Sequence, residues 1–329
     1  MVYLKVLCWA QYCSPCSLGH VTKHHNTLYH LFANDTQLHK SSSPEHFAKL
    51  LLDIQSCAES VRDWMACNRL RMNDDKTEIM PVGTKAKLKS VPQTSSLILS
   101  GSIMPFSYKV RNLGVYLDSN LSMDQHVNFL CRSVFLELRR IGHLRSHLTV
   151  DATKKLVSSF VLSRLDYCNS LLAGLPENRL DRLQRVQNNA DRLVLGRRGR
   201  DHAKPLLRSL HWLPVRARIE YKISTLCYRS RDSSAPAYLS DLLSVYQPSR
   251  SLRSADAGLM TVPRIKLSKY GKRAFSYIGP VTWNSVPKPL RDAPSLPDPI
   301  WKRSSSKSIC NDDFHSQTHK GCWAKLSFL

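Results

Sequence analysis

The chain has 329 residues, of which 42% are hydrophobic, so it is long enough to bury one large core or two ordinary ones. It carries 48 Lys or Arg against 25 Asp or Glu, a formal net charge of +23. This excess indicates a polyanionic partner, either nucleic acid or an anionic membrane surface. The first 150 residues hold 17 basic and 11 acidic residues, and the remainder holds 31 and 14. The second half therefore dominates the electrostatics.

No apolar run reaches the roughly 18 residues that a membrane span requires. The N-terminal residues MVYLKVLCWA are partly apolar, but the stretch is interrupted and no small-residue cleavage site follows it. The ten cysteines are scattered, and several lie within helical apolar stripes, as is typical of reduced thiols. We therefore expect an intracellular protein of the nucleus or cytoplasm, not secreted and without a disulfide framework.

Strands and one helix are predicted in the first third of the chain. Residues 28–39 indicate two short strands joined by a turn at Asn34-Asp35. Ser43-Pro44-Glu45 predicts a helix start with Ser43 as the cap. An amphipathic helix of about 25 residues follows by its apolar periodicity. Further strands are predicted at 77–82, 97–99 and 110–117.

From residue 124 the apolar spacing becomes helical, which predicts helices over 124–144, 156–165 and 180–193. Another helix is predicted to start at Pro214. Pro, Ser and Arg are dense over 233–300, where order is harder to predict, and the polar residues from 300 onward are expected to form a mobile tail. The fold class that these patterns predict is α+β.

Four strings, in this order and spacing, resemble the reverse transcriptases of LINE-type (non-LTR) retrotransposons. They are FANDTQLH at 32–39, NRLRMNDDKTEIM at 68–80, VRNLGVYLDSNLSMDQHV at 110–127 and SRLDYCNSLLAGLP at 163–176. LQRVQNNADRLVL, LHWLPVRARIEYKI and YGKRAFSYIGPVTWNSVP continue the resemblance, which covers roughly 17–297.

In that family FANDTQLH corresponds to the palm hairpin written (F/Y)ADD, whose two aspartates hold two Mg²⁺ ions together with an aspartate of an upstream strand. Two dications close together repel each other, so several anionic oxygens must converge on them. Here Asn34 stands at the first position of the pair and leaves Asp35 alone. The resemblance also leaves no segment for the upstream aspartate and most of the fingers. It therefore implies Mg²⁺, an incomplete site at Asp35, and no polymerase activity.

Three further positions have a family counterpart or suggest a ligand. Lys76 matches a lysine that the family places near the phosphates of the incoming nucleotide, although a lysine after two aspartates is also typical of a solvated turn. Asn73-Asp74-Asp75 offers oxygens for a metal but is an equally common turn composition. Leu113-Gly114-Val115 resembles the hairpin that supports the primer end, and it also suits a buried strand.

The predicted helix at 178–195 carries a row of arginines that continues beyond it. Such a row suits a phosphate backbone, and a solvated helix face is the alternative. In the resemblance this region is the thumb, where a template–primer duplex would bind. The candidate nucleic-acid-binding residues are Arg179, Arg182, Arg185, Arg192, Arg197, Arg198 and Arg200, with weaker support from Arg139, Arg140, Lys154 and Lys155.

Two sets of cysteines and histidines suggest zinc, but neither has a standard spacing, so zinc is not expected. They are Cys13, Cys16, His20 and His24, and Cys310, His315, His319 and Cys322. Five aromatic residues could stack on bases, although core packing suits most of them better. They are Trp212, Tyr221, Tyr228, Tyr277 and Trp283.

The sequence thus predicts a truncated palm over 1–122, a helical thumb-like basic region over 123–232, a Pro/Ser/Arg-rich region over 233–299 and a disordered tail over 300–329. The function predicted by resemblance is that of an RNA-directed DNA polymerase remnant without activity, with RNA template and DNA primer as partners and no small-molecule cofactor. The first alternative is a non-catalytic basic nucleic-acid-binding protein. The second is a decayed product without function, prone to aggregate.

Overall fold

The computed structural model describes residues 2–8, 19, 21–22, 24–32, 35–91, 96–99, 101–197, 201–248 and 258–292, with the backbone alone at 2–8 and 31. The chain divides into two compact units, residues 1–126 and 127–329. All named strands of the described residues lie in the first unit, and the second is built mainly of helices. The predicted α+β class is therefore confirmed.

A four-stranded antiparallel sheet forms the centre of the first unit. Its strands are β1 (Val2–Cys8), β2 (Leu28–Phe32), β3 (Asp35–Lys40) and β4 (Met72–Pro81), in the order β2-β3-β1-β4. Strands β2 and β3 are the two predicted at 28–39, and Phe32 pairs with Asp35. Asn34, at the predicted tip, lies outside the described residues. Strand β1 was not predicted, because its apolar residues resemble an interrupted leader.

Strand β4 begins five residues earlier than predicted and contains a wide bulge. Lys5 of β1 pairs with Glu78, whereas Leu7 pairs with Asn73, so β4 advances five residues while β1 advances two. The side chain of Asn73 closes the bulge by accepting from the N–H of Lys76 at 3.2 Å. Residues 73–76, expected to form a turn before the strand, instead form the bulge within it.

The predicted amphipathic helix is confirmed as a 3₁₀ turn, Pro44–His46, followed by α1, Phe47–Cys67. Ser43 precedes the turn but does not cap it, because its hydroxyl pairs with His46 Nδ1 at 2.8 Å. The apolar face of α1 packs on the sheet and forms the core of this unit. The buried residues of that core are Leu38, Leu50, Ile54, Cys57, Ala58, Val61, Met65, Met72, Ile79, Leu97, Leu99 and Met104.

Two small hairpins and one short helix complete the first unit. They are β5 (Ser96–Leu99) with β6 (Ser102–Pro105), β7 (Lys109–Asn112) with β8 (Val115–Asp118), and α2 (Lys85–Lys89). The single strand predicted at 110–117 is therefore wrong. Leu113 and Gly114 have φ angles of 46° and 87°, so they reverse the chain in a two-residue hairpin turn that needs positive φ at both positions.

Helices α3 to α12 follow in chain order, and the helices predicted from residue 124 are confirmed. Their bounds are α3 Asp124–Leu144, α4 Val150–Val157, α5 Ser163–Asp166, α6 Glu177–Leu195, α7 Ala203–Leu210, α8 Val215–Arg231, α9 Ala237–Ser240, α10 Ser268–Gly271, α11 Phe275–Ser285 and α12 Lys288–Arg291. A π-helical segment, Ser158–Leu162, joins α4 to α5. Two 3₁₀ turns lie at Arg145–His147 and Asn169–Leu172.

The region beyond residue 233 contains more structure than the sequence suggested. Trp283 of α11 is fully buried and donates its indole N–H to the carbonyl of Gly258 at 2.8 Å. The amide of Asn284 bonds both the N–H and the carbonyl of Met260 at 2.9 Å. Trp212, Tyr228 and Trp283 are buried, as expected for core aromatics. The tail predicted at 300–329 lies outside the described residues.

None of the helices within the described ranges is both long enough and apolar enough to span a bilayer.

Candidate nucleic-acid interface

Asp35 opens strand β3 and lies at one end of the sheet. On one side it pairs with Phe32 of β2, and on the other with Leu7 of β1. Strand β1 has the sequence VYLKVLC, which contains no acidic residue. The strand beside Asp35 therefore supplies no second carboxylate.

Within the described sheet, the other acidic residues belong to β4, which lies on the far side of β1 from β3. Asn73 pairs with the far side of Leu7, so its backbone lies about 10 Å from that of Asp35 at the usual strand spacing. Asp74 accepts from Arg62 Nη2 at 2.5 Å. Across the ranges that the structure describes, no three His, Cys, Asp or Glu residues gather as metal ligands would. Among the described residues, no group of carboxylates therefore gathers at Asp35, whereas two divalent cations need several converging anionic oxygens.

Lys76 lies in the bulge of β4, and its side chain is exposed. This agrees with the turn interpretation and gives no geometry for a bound nucleotide. Of the first cysteine and histidine set, only His24 is among the described residues, and the second set lies wholly outside them. The expectation that neither set binds zinc therefore stays a prediction.

Helix α6 carries the predicted arginine row and is firmly bounded at both ends. Pro176 precedes it and Glu177 favours its positive end. At the other end Gly196 has a φ of 63°, and the N–H of Arg197 bonds the carbonyl of Arg192 at 2.9 Å. This is a Schellman ending, for which the left-handed glycine is the usual residue.

The arginines of α6 lie opposite its buried stripe. That stripe consists of Leu180, Leu183, Val186, Gln187, Ala190, Asp191 and Val194. At 3.6 residues per turn, Arg182, Arg185 and Arg192 fall within an arc of about 80° on the other side, whereas Arg179 lies about 60° beyond Arg182, toward the buried stripe. The helix therefore presents one cationic face, as the sequence predicted.

The structure distinguishes the individual arginines. Arg182 is exposed and donates to Asn128 Oδ1 of α3 at 2.6 Å, while Arg192 is half-buried and donates to the carbonyl of Asp201 at 2.9 Å. Arg185 is exposed and has no partner among the described residues. Arg179 is half-buried and Arg197 is exposed, whereas Arg198 and Arg200 lie outside the described residues. Arg182 and Arg185 are therefore the best placed of the row to meet a ligand.

A groove of about 810 Å³ runs between α3 and α6 beside this row. Arg132 and Arg139 of α3 line it together with Arg182 of α6, and no acidic residue of the described chain contributes to its wall. The apolar side chains of Phe135 and Leu136 also line it and are exposed. The groove is thus both cationic and apolar.

The sequence analysis missed Arg132, Phe135 and Leu136 as site residues. Their position around the helix could have identified them. The buried stripe of α3 runs through Val134 and Leu138, and Leu136 lies on the opposite side of the helix. Large apolar residues on the predicted solvent face of a helix indicate a surface that has another use.

The cationic side chains near the groove also differ in whether they form ion pairs. Arg140 and Arg164 both donate to Glu137 Oε1, at 3.2 and 2.9 Å. Arg132 and Arg139 have no anionic partner within the described ranges. Lys155, which the sequence linked weakly to the same surface, pairs with Asp151 at 2.8 Å. Arg132 and Arg139 are therefore available to a ligand in the groove, whereas Arg140, Arg164 and Lys155 are already paired.

Asp191 of α6 is the one acidic residue of its buried stripe. Its side chain is fully buried, and neither carboxylate oxygen has a hydrogen-bond partner in the described structure. Burial raises the pKa of Asp191 to about 6, and the adjacent Arg192, through its backbone N–H and then its positive charge, opposes this only in part. The helix thus carries an acid that titrates near neutrality beneath its cationic face.

Comparison with protein-family models, with curated proteins and with solved structures finds no match to the chain.

Proposed function

We propose that this chain is a nucleic-acid-binding protein related to LINE-type reverse transcriptases, and that it does not polymerise DNA. The observation that carries the proposal is a set of exposed arginines without acidic partners on α3 and α6, namely Arg132 and Arg139, which line the groove between these helices, and Arg185 on the exposed face of α6. The relation to reverse transcriptases rests on the ordered sequence strings at 32–39, 68–80, 110–127 and 163–176.

The charge distribution supports a polyanionic ligand. The chain has a formal net charge of +23, and the groove walls contribute three arginines with no acidic residue among their described members. Guanidinium groups bind phosphate oxygens through paired donors, and each phosphate contact releases counterions. Binding to nucleic acid would therefore be strong at low salt and would weaken steeply as salt rises.

The hairpin chemistry argues against polymerisation. Asp35 pairs with Leu7 on the neighbouring strand, and Asn34 stands where the family has its first aspartate. Holding two Mg²⁺ ions requires more negative charge than one carboxylate provides. The basic helices would then retain the binding role of a polymerase without its chemistry.

A salt titration with labelled oligonucleotides tests the binding role. The full chain should bind in 50 mM salt, and the logarithm of affinity should fall linearly with the logarithm of salt. The triple change Arg132→Gln, Arg139→Gln and Arg185→Gln should reduce that slope by about 0.7–0.9 for each lost phosphate contact.

Arg140→Gln is the matched control, because Arg140 lies on the same helix but already pairs with Glu137. It should leave the salt slope nearly unchanged. Absence of any binding at low salt would contradict the proposal and favour a chain without function.

Primer extension with Mg²⁺ or Mn²⁺ tests the second half of the proposal. The full chain should incorporate no nucleotide on a primed RNA template. Asn34→Asp alone should not restore incorporation either, because Leu7 still lies opposite Asp35. Measurable incorporation by the unmodified chain would show that the hairpin is catalytic after all.

A further inference from the structure

The groove between α3 and α6 contains a feature that phosphate binding alone does not require. Phe135 is 44% exposed and Leu136 is 56% exposed, and both line the groove between Arg132 and Arg139. Exposed apolar side chains are ordinary when isolated, but contiguous ones inside a concave cationic wall indicate a ligand with an apolar part.

The apolar floor distinguishes between forms of nucleic acid. In a duplex the flat faces of the bases are stacked inside the helix, so only base edges and the phosphate backbone reach a protein surface. An unpaired strand exposes those faces, which stack on aromatic rings, while arginines follow its backbone. A phenyl ring flanked by guanidinium groups therefore matches an unpaired strand.

The polar part of the wall also suits this ligand. Besides its arginines, the groove is lined by Asn128 and Asn189, whose amides can both donate and accept hydrogen bonds, as base edges do. Asn128 also holds the guanidinium of Arg182 at 2.6 Å, which fixes its position before a ligand arrives. An acidic amphipathic peptide could also meet these amides, so the aromatic ring of Phe135 is the feature that separates the two ligands.

We propose that the groove between α3 and α6 binds single-stranded nucleic acid, with a base stacked on Phe135 and the flanking phosphates held by Arg132, Arg139 and Arg182. This inference rests on the proposed nucleic-acid binding and adds the form of the ligand. The strand would be recognised without a fixed sequence, since every base has a flat face.

Equilibrium binding of the full chain to a labelled 15-nucleotide oligo(dT) and to a 15-base-pair duplex, at matched salt, tests the inference. Phe135→Ala should weaken binding of the single strand by at least about fivefold, as expected for one lost base stack. It should weaken binding of the duplex by less than about twofold. Phe135→Trp should retain single-strand binding, whereas Phe135→Leu should not, because leucine preserves the apolar contact without an aromatic face.

Phe160→Ala is the matched control, because Phe160 is a 47% exposed phenylalanine that does not line the groove. It should leave both affinities unchanged. Circular dichroism of each variant checks that the helices remain folded, which is expected for exposed positions.

Four results would overturn the inference. If Phe135→Ala lost equal affinity for the single strand and the duplex, the ring would not stack on a base. The same would follow if the variant lost no affinity at all. If the chain bound an acidic amphipathic helical peptide, and Phe135→Ala weakened that binding without affecting the oligonucleotides, the groove would belong to a protein partner. Failure to bind any nucleic acid at low salt would remove the proposed function as well, which separates the two failures.

Discussion

Arg145 Nε donates to the carbonyl oxygen of Leu193 at 2.9 Å, and so joins the end of α3 to the end of α6. The same guanidinium donates to the carbonyls of Val194 at 3.0 Å and Leu148 at 2.9 Å. The last carbonyls of a helix have no partner within it and carry partial negative charge. Arg145 therefore neutralises the end of α6 and helps to hold together the two helices that line the groove.

Arg145→Ala should destabilise the second unit. Loss of three charge-assisted hydrogen bonds and of the interaction with the helix end should cost about 2–3 kcal/mol. Urea unfolding followed by circular dichroism measures the change. Arg185→Ala, which removes an exposed arginine of α6, should alter stability by no more than about 0.5 kcal/mol. Equal stabilities of the two variants would contradict this role of Arg145.

Asp191 should make the stability of the chain depend on pH in an unusual direction. Burial raises its folded-state pKa to about 6, above the value of about 3.9 expected for an unfolded aspartate. Between these values the folded state binds more protons than the unfolded state. Its contribution is therefore favourable below pH 4 and is lost as pH rises through 6, by about 2–3 kcal/mol in all.

Asp191→Asn removes this titration and is the test of that prediction. The variant should gain stability relative to the unmodified chain as pH rises from 4 to 7, because other titrating groups are common to both. Unfolding free energies at several pH values within this range measure the difference. A difference between the two proteins that stays constant across the range would show that Asp191 is not a buried acid.

Gln37 and Asn112 form a buried pair in the first unit. Gln37 Nε2 donates to Asn112 Oδ1 at 2.8 Å and links β3 to the hairpin of β7 and β8. Replacing either residue by leucine leaves the other amide unsatisfied, at a cost of about 1–3 kcal/mol. Gln37→Leu with Asn112→Leu together should cost less than the sum of the single changes. Additive losses in this double-mutant cycle would mean that the hydrogen bond contributes little.

Gly174→Ala should destabilise the loop before α6 for two separable reasons. Its φ of 68° disfavours any Cβ, and the added carbon would lie 2.9 Å from Arg273 Cγ. Gly101→Ala is the control, because Gly101 has a φ of 82° but nothing within 4 Å of an added Cβ. Both should lose about 1 kcal/mol from the backbone, and Gly174→Ala should lose about 1 kcal/mol more from the contact. Equal decreases in melting temperature for the two variants would show that the contact with Arg273 costs no stability.

The helices were the most predictable part of the fold, because their apolar periodicity is local. Helix α1 and helix α6 were both predicted within a few residues, since each has one continuous buried stripe. Helix α11 was missed because it contains Pro280 and only three of its residues are buried, which leaves little periodicity to detect. Its structure depends instead on Trp283 and Asn284, whose partners at 258–260 are distant in sequence.

The candidate site was predictable only in part, for a similar reason. The arginines of α6 were found because charge can be counted along a sequence. The groove requires α3 and α6 to lie side by side, and that arrangement depends on contacts such as that of Arg182 with Asn128, 54 residues apart. Likewise, the pairing of Leu7 with Asp35 follows from strand order, which no local pattern reveals.

The bulge in β4 determines which deletions the first unit can tolerate. Side chains alternate between the two faces of a strand, so Met72 and Ile79, seven positions apart, would normally face opposite ways. Both nevertheless belong to the core under α1, because the three surplus residues of the bulge reverse the parity between them. Deleting two residues from 74–76 would leave Met72 and Ile79 five positions apart, so a regular strand would turn Met72 away from the core, whereas deleting all three would leave them four apart and on the same face. The larger deletion is therefore expected to be the milder one.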